Sequence, residues 1–286
     1  MSGILYICPT PIGNLGDMTP RALDALRDAD VVCAEDTRVT GKILAHFGID
    51  KRLERLDEAA ISTLTPRYIR RLLDGETVAF CSDAGMPGVS DPGGRLVDAA
   101  IDAGVTVEVL PGASAGVTAY VASGFACPRF DFGGFFPRRD AERFAVLRSL
   151  SSLDAVLLFY ESPNRLADSL AVVAAEYPYR RVAVCRELTK IHQEVYRDTS
   201  GAVSLEFARR MDQEGVKGEI VMVIEPPTDQ ERQAVCEQAS QDASLVAAQL
   251  LAEGSRSKKD VAKELQRQFG LSRNQAYDLV YQAQQS

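Results

Sequence analysis

Histidine is scarce: His46 and His192 are the only two in 286 residues. A histidine-built metal centre or a serine–histidine triad needs imidazoles beside specific partners, so both are disfavoured. Cysteine is thinly spread. Cys8, Cys33, Cys81, Cys127, Cys185 and Cys236 lie 25 or more residues apart, which leaves no CxxC or zinc-knuckle spacing. Cys8, Cys33, Cys81 and Cys185 stand in or beside β-branched runs, where a thiol reads as a small buried hydrophobe. Positive charge is short as well. The 32 basic and 40 acidic residues give a net charge of −8, which excludes a uniformly basic nucleic-acid binder but not a local basic patch. No run approaches the roughly 20 apolar residues that span a bilayer. The opening Met-Ser-Gly-Ile-Leu-Tyr-Ile-Cys lacks a basic region and enters a strand pattern at once, against a signal peptide. Neither GxGxxG nor GxxxxGK[ST] occurs, which weakens the dinucleotide and P-loop readings. These absences predict a soluble, cytoplasmic protein.

What is present is ordinary globular composition, 46% hydrophobic and 25% charged, at a length typical of about two domains. Short Val/Ile-rich runs at 4–8, 31–34, 77–81, 105–110, 155–160, 181–185 and 220–224 read as strands buried on both faces. Helical patterns lie between them. Thr19-Pro20 sets a capping hydroxyl before a first-turn proline, and Ser114 and Ser162-Pro163 look similar. The alternation predicts an α/β fold of two α/β domains, 1–112 and 113–227, with mostly parallel sheets. After Glu225-Pro226-Pro227 the strand character stops. Helices are expected at 230–253, 257–269 and 272–284, the last two joined by Gly270-Leu271-Ser272 as a helix-turn-helix-like module within 228–286. Residues 254–286 hold six basic and three acidic side chains, a net +3. That is either a solvated helical face or a docking surface for a phosphate backbone.

Ligands in open parallel sheets sit beyond the carboxyl ends of the strands. The loop after the first strand, Pro9, Thr10, Pro11, Ile12, Gly13 and Asn14, is a stiff turn with glycine for close approach. After the third predicted strand comes Ser82, Asp83, Ala84, Gly85, Met86, Pro87, Gly88, Val89, Ser90, Asp91, Pro92, Gly93 and Gly94. It is too long and too rich in glycine and carboxylate for a simple connection. After the fourth, Pro111, Gly112, Ala113, Ser114 and Ala115 repeat the theme. Three such loops on one rim describe a pocket.

The ordered set PTPIGNLGD (9–17), AEDTR (34–38), SDAGMPGVSDPG (82–93), PGASA (111–115), GFFPR (134–138), YESPNR (160–165), RELTK (186–190) and GEIVMVIE (218–225) resembles one family. That family is ribosomal RNA small subunit methyltransferase I, a branch of the tetrapyrrole methylase superfamily. The resemblance implies a two-domain α/β fold, a homodimer, and S-adenosyl-L-methionine held in the cleft between the domains. It implies methyl transfer to the 2′-hydroxyl of a cytidine in the decoding region of 16S rRNA, within the small ribosomal subunit. By motif, Pro9, Thr10, Pro11, Ile12, Gly13, Ser82, Asp83, Ala84, Gly85, Met86, Val89, Ser90, Asp91, Pro111, Gly112, Ser114 and Ala115 would form the cofactor rim. Two positions depart from the family pattern, which usually has Thr where Met86 stands and an H-E-H-N-E-like stretch where Leu56-Asp57-Glu58-Ala59-Ala60 stands.

A proton acceptor for a ribose hydroxyl is sought among Glu35, Asp36, Glu161, Glu187 and Lys190. The alternative for each is an ion pair, such as Glu35 or Asp36 with Arg38, or Glu187 with Lys190. Glu161, Arg186, Glu187 and Lys190 are expected to form a substrate-side catalytic cluster, with no metal. Arg67, Arg70 and Arg71 on one helix face, and Arg138, Arg139 and Arg143 after the GFFP turn, are candidate phosphate contacts. Phe132, Phe135 and Phe136 are candidates either to stack a base or to fill a core. Two rival readings stay open: a methylase of the same fold acting on a tetrapyrrole precursor, and a non-catalytic RNA- or ribosome-binding relative.

Overall fold

The structure, a computed structural model, describes residues 2–91, 93–252 and 256–283, without the side chains of 234–236, 238 and 239. Pro92, Glu253, Gln284 and the Cys236 side chain of the sequence reading lie outside the described residues.

The chain divides into two compact units, residues up to 148 with 155–226, and 149–154 with the chain beyond 226. In the first unit, strands β1 (Ile4–Ile7), β2 (Val31–Ala34), β3 (Leu53–Arg55), β4 (Val78–Cys81) and β5 (Thr106–Val109) form a sheet in the order β3-β2-β4-β1-β5. Every pair in it is parallel. Helices α1 (Pro20–Asp28), α2 (Thr37–His46), α3 (Glu58–Leu73) and α4 (Gly93–Asp102) supply the crossovers. Strand alternation sends Leu5, Ile7, Cys33, Val78 and Phe80 toward Tyr68 and Leu72 of α3 and Leu96 of α4. Val32, Ala79 and Cys81 face the other way, onto Ala22 and Leu26 of α1 and Ile43 and Leu44 of α2. Both faces are therefore covered, as parallel strands require.

Helix α5 (Ala115–Ser123) leads to the second sheet. Its strands are β6 (Phe130–Phe135), β7 (Val156–Glu161), β8 (Arg181–Arg186), β9 (Glu194–Thr199) and β10 (Ile220–Ile224), in the order β6-β7-β10-β8-β9. Helices α6 (Asp140–Leu150), α7 (Leu166–Glu176) and α8 (Ser200–Gln213) intervene. Here the expectation of mostly parallel strands needs correction. Only β6 and β7 are parallel; β10 runs antiparallel to both its neighbours, as does β9 to β8. The short connection 187–193 turns β8 directly back into β9, a return that parallel pairing cannot make.

Thr19 caps α1 as expected, accepting from the Ala22 amide at 3.2 Å. Ser114 and Ser162 occupy cap positions without using their hydroxyls, and Ser162 opens a single 3-10 turn. Strand β5 is an edge, not buried on both faces: Val109 is exposed and Glu108 pairs with Arg21. The second unit holds α9 (Asp229–Ala252), α10 (Lys258–Phe269) and α11 (Arg273–Gln282) around its own core of Ala243, Ala247, Val261, Leu265, Ala276 and Val280. No described helix is long and apolar enough to cross a membrane.

Candidate functional site

The three loops singled out above meet at the carboxyl ends of β1, β4 and β5. Thr10 and Gly85 exchange backbone hydrogen bonds, at 2.9 and 3.0 Å, and the Thr10 hydroxyl donates to the Ser82 carbonyl at 3.1 Å. Gly85 takes φ +81° and Gly88 φ +88°, values that favour glycine. The Asp91 carboxylate accepts from the amides of Gly88 and Gly93 and so closes the loop on itself. Gly112 lies so close to Pro9 that a Cβ there would sit 2.3 Å from the proline ring.

These loops open onto a cavity of about 470 Å³, within the range of small-molecule sites. On the first-sheet side it is lined by Ile12, Glu35, Ser82, Asp83, Ala84, Gly85, Met86, Val89, Ser90 and Asp91, with Ser114 and Ala115 at the head of α5. Pro9, Thr10, Pro11, Gly13, Pro111 and Gly112 are not in the lining. Thr10 is buried behind it, and Pro9 with Gly112 braces the turn. On the far side stand Phe135, Tyr160, Glu161, Ser162, Pro163, Cys185, Leu188 and Gly218–Val221.

Sequence reasoning missed Cys185 and Gly218–Val221 as site residues. Parallel strands present their carboxyl ends to a cleft, whereas β10 is antiparallel, so its beginning reaches the cleft: Ile220 pairs with both Glu161 and Arg186. The GEIV motif at 218–221 was the available signal.

The four proposed substrate-side residues are not gathered in the cavity. Glu161 lines it, but its buried carboxylate is engaged by Arg165, by the Ser162 amide at 2.6 Å and by the Ser169 hydroxyl. Arg186 pairs with Glu194 at 3.0 Å. Glu187 accepts from Lys190 at 2.8 Å and from the Glu219 amide at 2.9 Å, while Lys190 also reaches the Glu219 carboxylate at 3.2 Å. Burial raises the Glu187 pKa, yet these hydrogen bonds and the Lys190 charge win, leaving it below the ordinary value. Glu187 and Thr189 hold positive φ, +49° and +65°, strain of about 1–3 kcal/mol each. The loop is clamped between two glycines. A Cβ at Gly13 would meet Lys190 Cγ at 2.4 Å, and one at Gly218 would meet Glu187 at 2.5 Å.

Of the remaining candidates, Asp36 is held far below the usual carboxylate range by hydrogen bonds from Arg38. Glu35 is different. It lines the cavity, and burial first, then the neighbouring Asp83 carboxylate, raises its pKa. Tyr160 is raised too, chiefly by burial.

Arg143 is corrected from phosphate contact to structural pillar: it is buried, donating to the Pro137 carbonyl at 2.9 Å and to Asp140. Arg71 likewise pairs with Glu54 and Glu76, while Arg67 and Arg70 are exposed. Asp57 caps α3 and pairs with Arg55, and Glu58 pairs with Arg95, so neither is in the cavity lining. Phe136 is core, Phe132 half-buried, and Phe135 63% exposed at the cavity wall. Among the described residues no cluster of His, Cys, Asp or Glu could hold a metal.

Comparison with known proteins matches residues 4–204 to the family of Tetrapyrrole (Corrin/Porphyrin) Methylases. Ribosomal RNA small subunit methyltransferase I of Halalkalibacterium halodurans is 45% identical over 224 residues, 78% of this chain and 76% of that protein. Its Synechocystis counterpart is 37% identical over 278 residues, 97% of each chain. Among solved structures, diphthine synthase superposes with a TM-score of 0.60 at 18% identity, covering 81% of this chain and 94% of that one. The uroporphyrin-III-C-methyltransferase of Thermus thermophilus gives 0.55 at 22%, covering 78% and 94%. At such identities the structures speak for the fold alone. The sequence relatives extend the match through the site loops, and the chain belongs to the tetrapyrrole methylase family and, within it, to the ribosomal RNA small subunit methyltransferase I proteins.

Proposed function

We propose that this chain is an S-adenosyl-L-methionine-dependent methyltransferase of small-subunit ribosomal RNA, acting on the 2′-hydroxyl of a cytidine in the decoding region of 16S rRNA. The observation that carries the reading is the cavity itself. It joins the loops at 82–91 and 114–115 to an exposed aromatic, Phe135, seated against Tyr160 at 5.5 Å between ring centres.

The residues present fit the methyl donor. Ile12, Met86, Leu188 and Val221 supply apolar wall for a purine, while Asp83 and Asp91 offer acceptors for hydroxyl and amino groups and negative charge near a sulfonium. When bound, the donor supplies an electrophilic methyl group. The protein's part is to hold the ribose oxygen in line and to accept its proton. Glu35 is assigned as the proton acceptor, since its raised pKa brings a carboxylate closer to working pH. Phe135 is assigned as the platform for the target base. Glu161, Arg186, Glu187 and Lys190 act as positioning residues, fixing the far wall and the 187–193 loop. Residues 1–112 and 113–227 are taken as the two halves of the catalytic part and 228–286 as an appended helical module, the whole working as a cytoplasmic homodimer on the small subunit.

The test is transfer of labelled methyl to hypomethylated small subunits, with free rRNA and a tetrapyrrole precursor in parallel. Label on a cytidine 2′-oxygen is the expected outcome. Label on tetrapyrrole alone, or donor binding without transfer to any RNA, sinks the proposal.

A further inference from the structure

The helical unit carries a surface that the methyl-transfer site does not use. Helix α11 is anchored on one side by Ala276 and Val280, and its start is fixed by a capping box between Ser272 and Gln275. Gly270, at φ +65°, ends α10 and makes the turn into it. Along one flank of α11 run Arg273, Tyr277 and Tyr281, each four residues from the last and so vertically adjacent. All three are exposed, Tyr281 to 65%, and the Arg273 guanidinium lies 5.8 Å from the centre of the Tyr277 ring. Nearby in sequence, α10 turns Lys259 and Lys263 outward, away from the buried Val261, Ala262 and Leu265. The stretch 254–286 is net +3 in a chain of −8.

We propose that the Arg273–Tyr277–Tyr281 flank of α11 is an RNA-stacking surface, taking unpaired bases on its rings while the module's cations hold the phosphate backbone. Stacking needs flat, accessible rings on a rigid support, and guanidinium planes extend the stack. The choice of polyanion over protein rests on charge: the stretch that carries these two rings, α10 with α11, holds an excess of cations. The inference deepens the ribosomal RNA reading and rests on it for the identity of the RNA.

The experiment uses the full chain and a fluorescein-labelled hairpin copied from the decoding region, with a poly-uridine strand as the sequence-free control. Tyr277→Ala and Tyr281→Ala are each expected to weaken hairpin binding about fivefold or more. Tyr277→Phe and Tyr281→Phe keep the ring, so they bind within about twofold of wild type. Lys259→Gln with Lys263→Gln lowers the slope of log affinity against log salt by about 1.4, while the tyrosine variants leave it unchanged. The chain has nine tyrosines and no tryptophan, so the part of the tyrosine quenching on RNA addition that is lost in the alanine variants reports the stack. Calorimetry with S-adenosyl-L-methionine should give the same affinity throughout. Alanine variants that bind RNA like wild type overturn the proposal. So does a defect seen with assembled subunits but not with naked RNA, which would make the partner a protein. Wild-type transfer to rRNA with normal alanine variants defeats this surface alone. RNA binding that depends on the tyrosines, in a protein that methylates no RNA, defeats the catalytic reading and leaves the surface standing.

Discussion

Glu35 shows how a single carboxylate is tuned by position. Its chain neighbour Asp36 spends its charge on Arg38, whereas Glu35 faces the cavity beside Asp83. Glu35→Gln should lower kcat about a hundredfold while the affinity for S-adenosyl-L-methionine, measured by calorimetry, holds. The pH profile offers a second check. A base works only when deprotonated, and this one has its pKa raised, so the acid limb of kcat lies above the ordinary glutamate value of 4.5. Asp83→Asn removes a like charge, and the limb should move to lower pH. Gly218 makes a different residue-scale prediction. Its φ of +96° and the 2.5 Å approach of Glu187 leave no room for a methyl group. Gly218→Ala should cost about 1–3 kcal/mol in denaturant unfolding, with the Glu187–Lys190 pair displaced. Much at this scale was legible in advance, since the glycines and aspartates of 82–91 marked a loop that does line the cavity. What a string of letters could not show was which charges are already spent. Glu161 looks available until Arg165, Ser162 and Ser169 are seen around it.

At the scale of elements, β6 makes the point best. Phe132 and Phe135 are three residues apart, so a regular strand would put them on opposite faces. The register shifts between them, with Gly134 at φ +69°, and both rings end against Tyr160, at 4.8 and 5.5 Å. A bulge has re-aimed a side chain beside a cleft. Deleting Gly134 should turn Phe135 away, raising KM for rRNA about fivefold or more, as Phe135→Ala would, with little change in affinity for the methyl donor. Gly133 and Gly134 also explain why no strand was expected at 130–135, since glycines weaken the local preference. Strands β3 and β9 escaped for another reason. They are edges with charged residues, such as Glu54 and Arg55 or Arg197 and Asp198, and hydrophobicity searches find central strands first.

For the whole molecule, buried thiols set an alkaline limit. Burial pushes Cys33 and Cys185, one in each sheet, up to about 12. The unfolded chain releases these protons near the ordinary value of 9.0, and the native chain keeps them. Stability is therefore full below pH 9 and falls as pH rises toward 12, by up to about 1.4 kcal/mol per pH unit for each thiol. Tyr68, also raised by burial, adds in the same direction. Urea midpoints at pH 8, 10 and 11 should decline, and Cys33→Ala with Cys185→Ala should flatten the decline even though each lowers the starting stability.

The cavity draws its walls from Ile12 at one end of the sequence and Val221 near the other end of the α/β unit. At a synthesis rate of 5–20 residues per second, the earliest wall waits on the order of ten to forty seconds for the latest. A partly made chain therefore has no complete cavity to offer, and the proposed methyl-donor site is walled only once β10 has taken its place between β7 and β8.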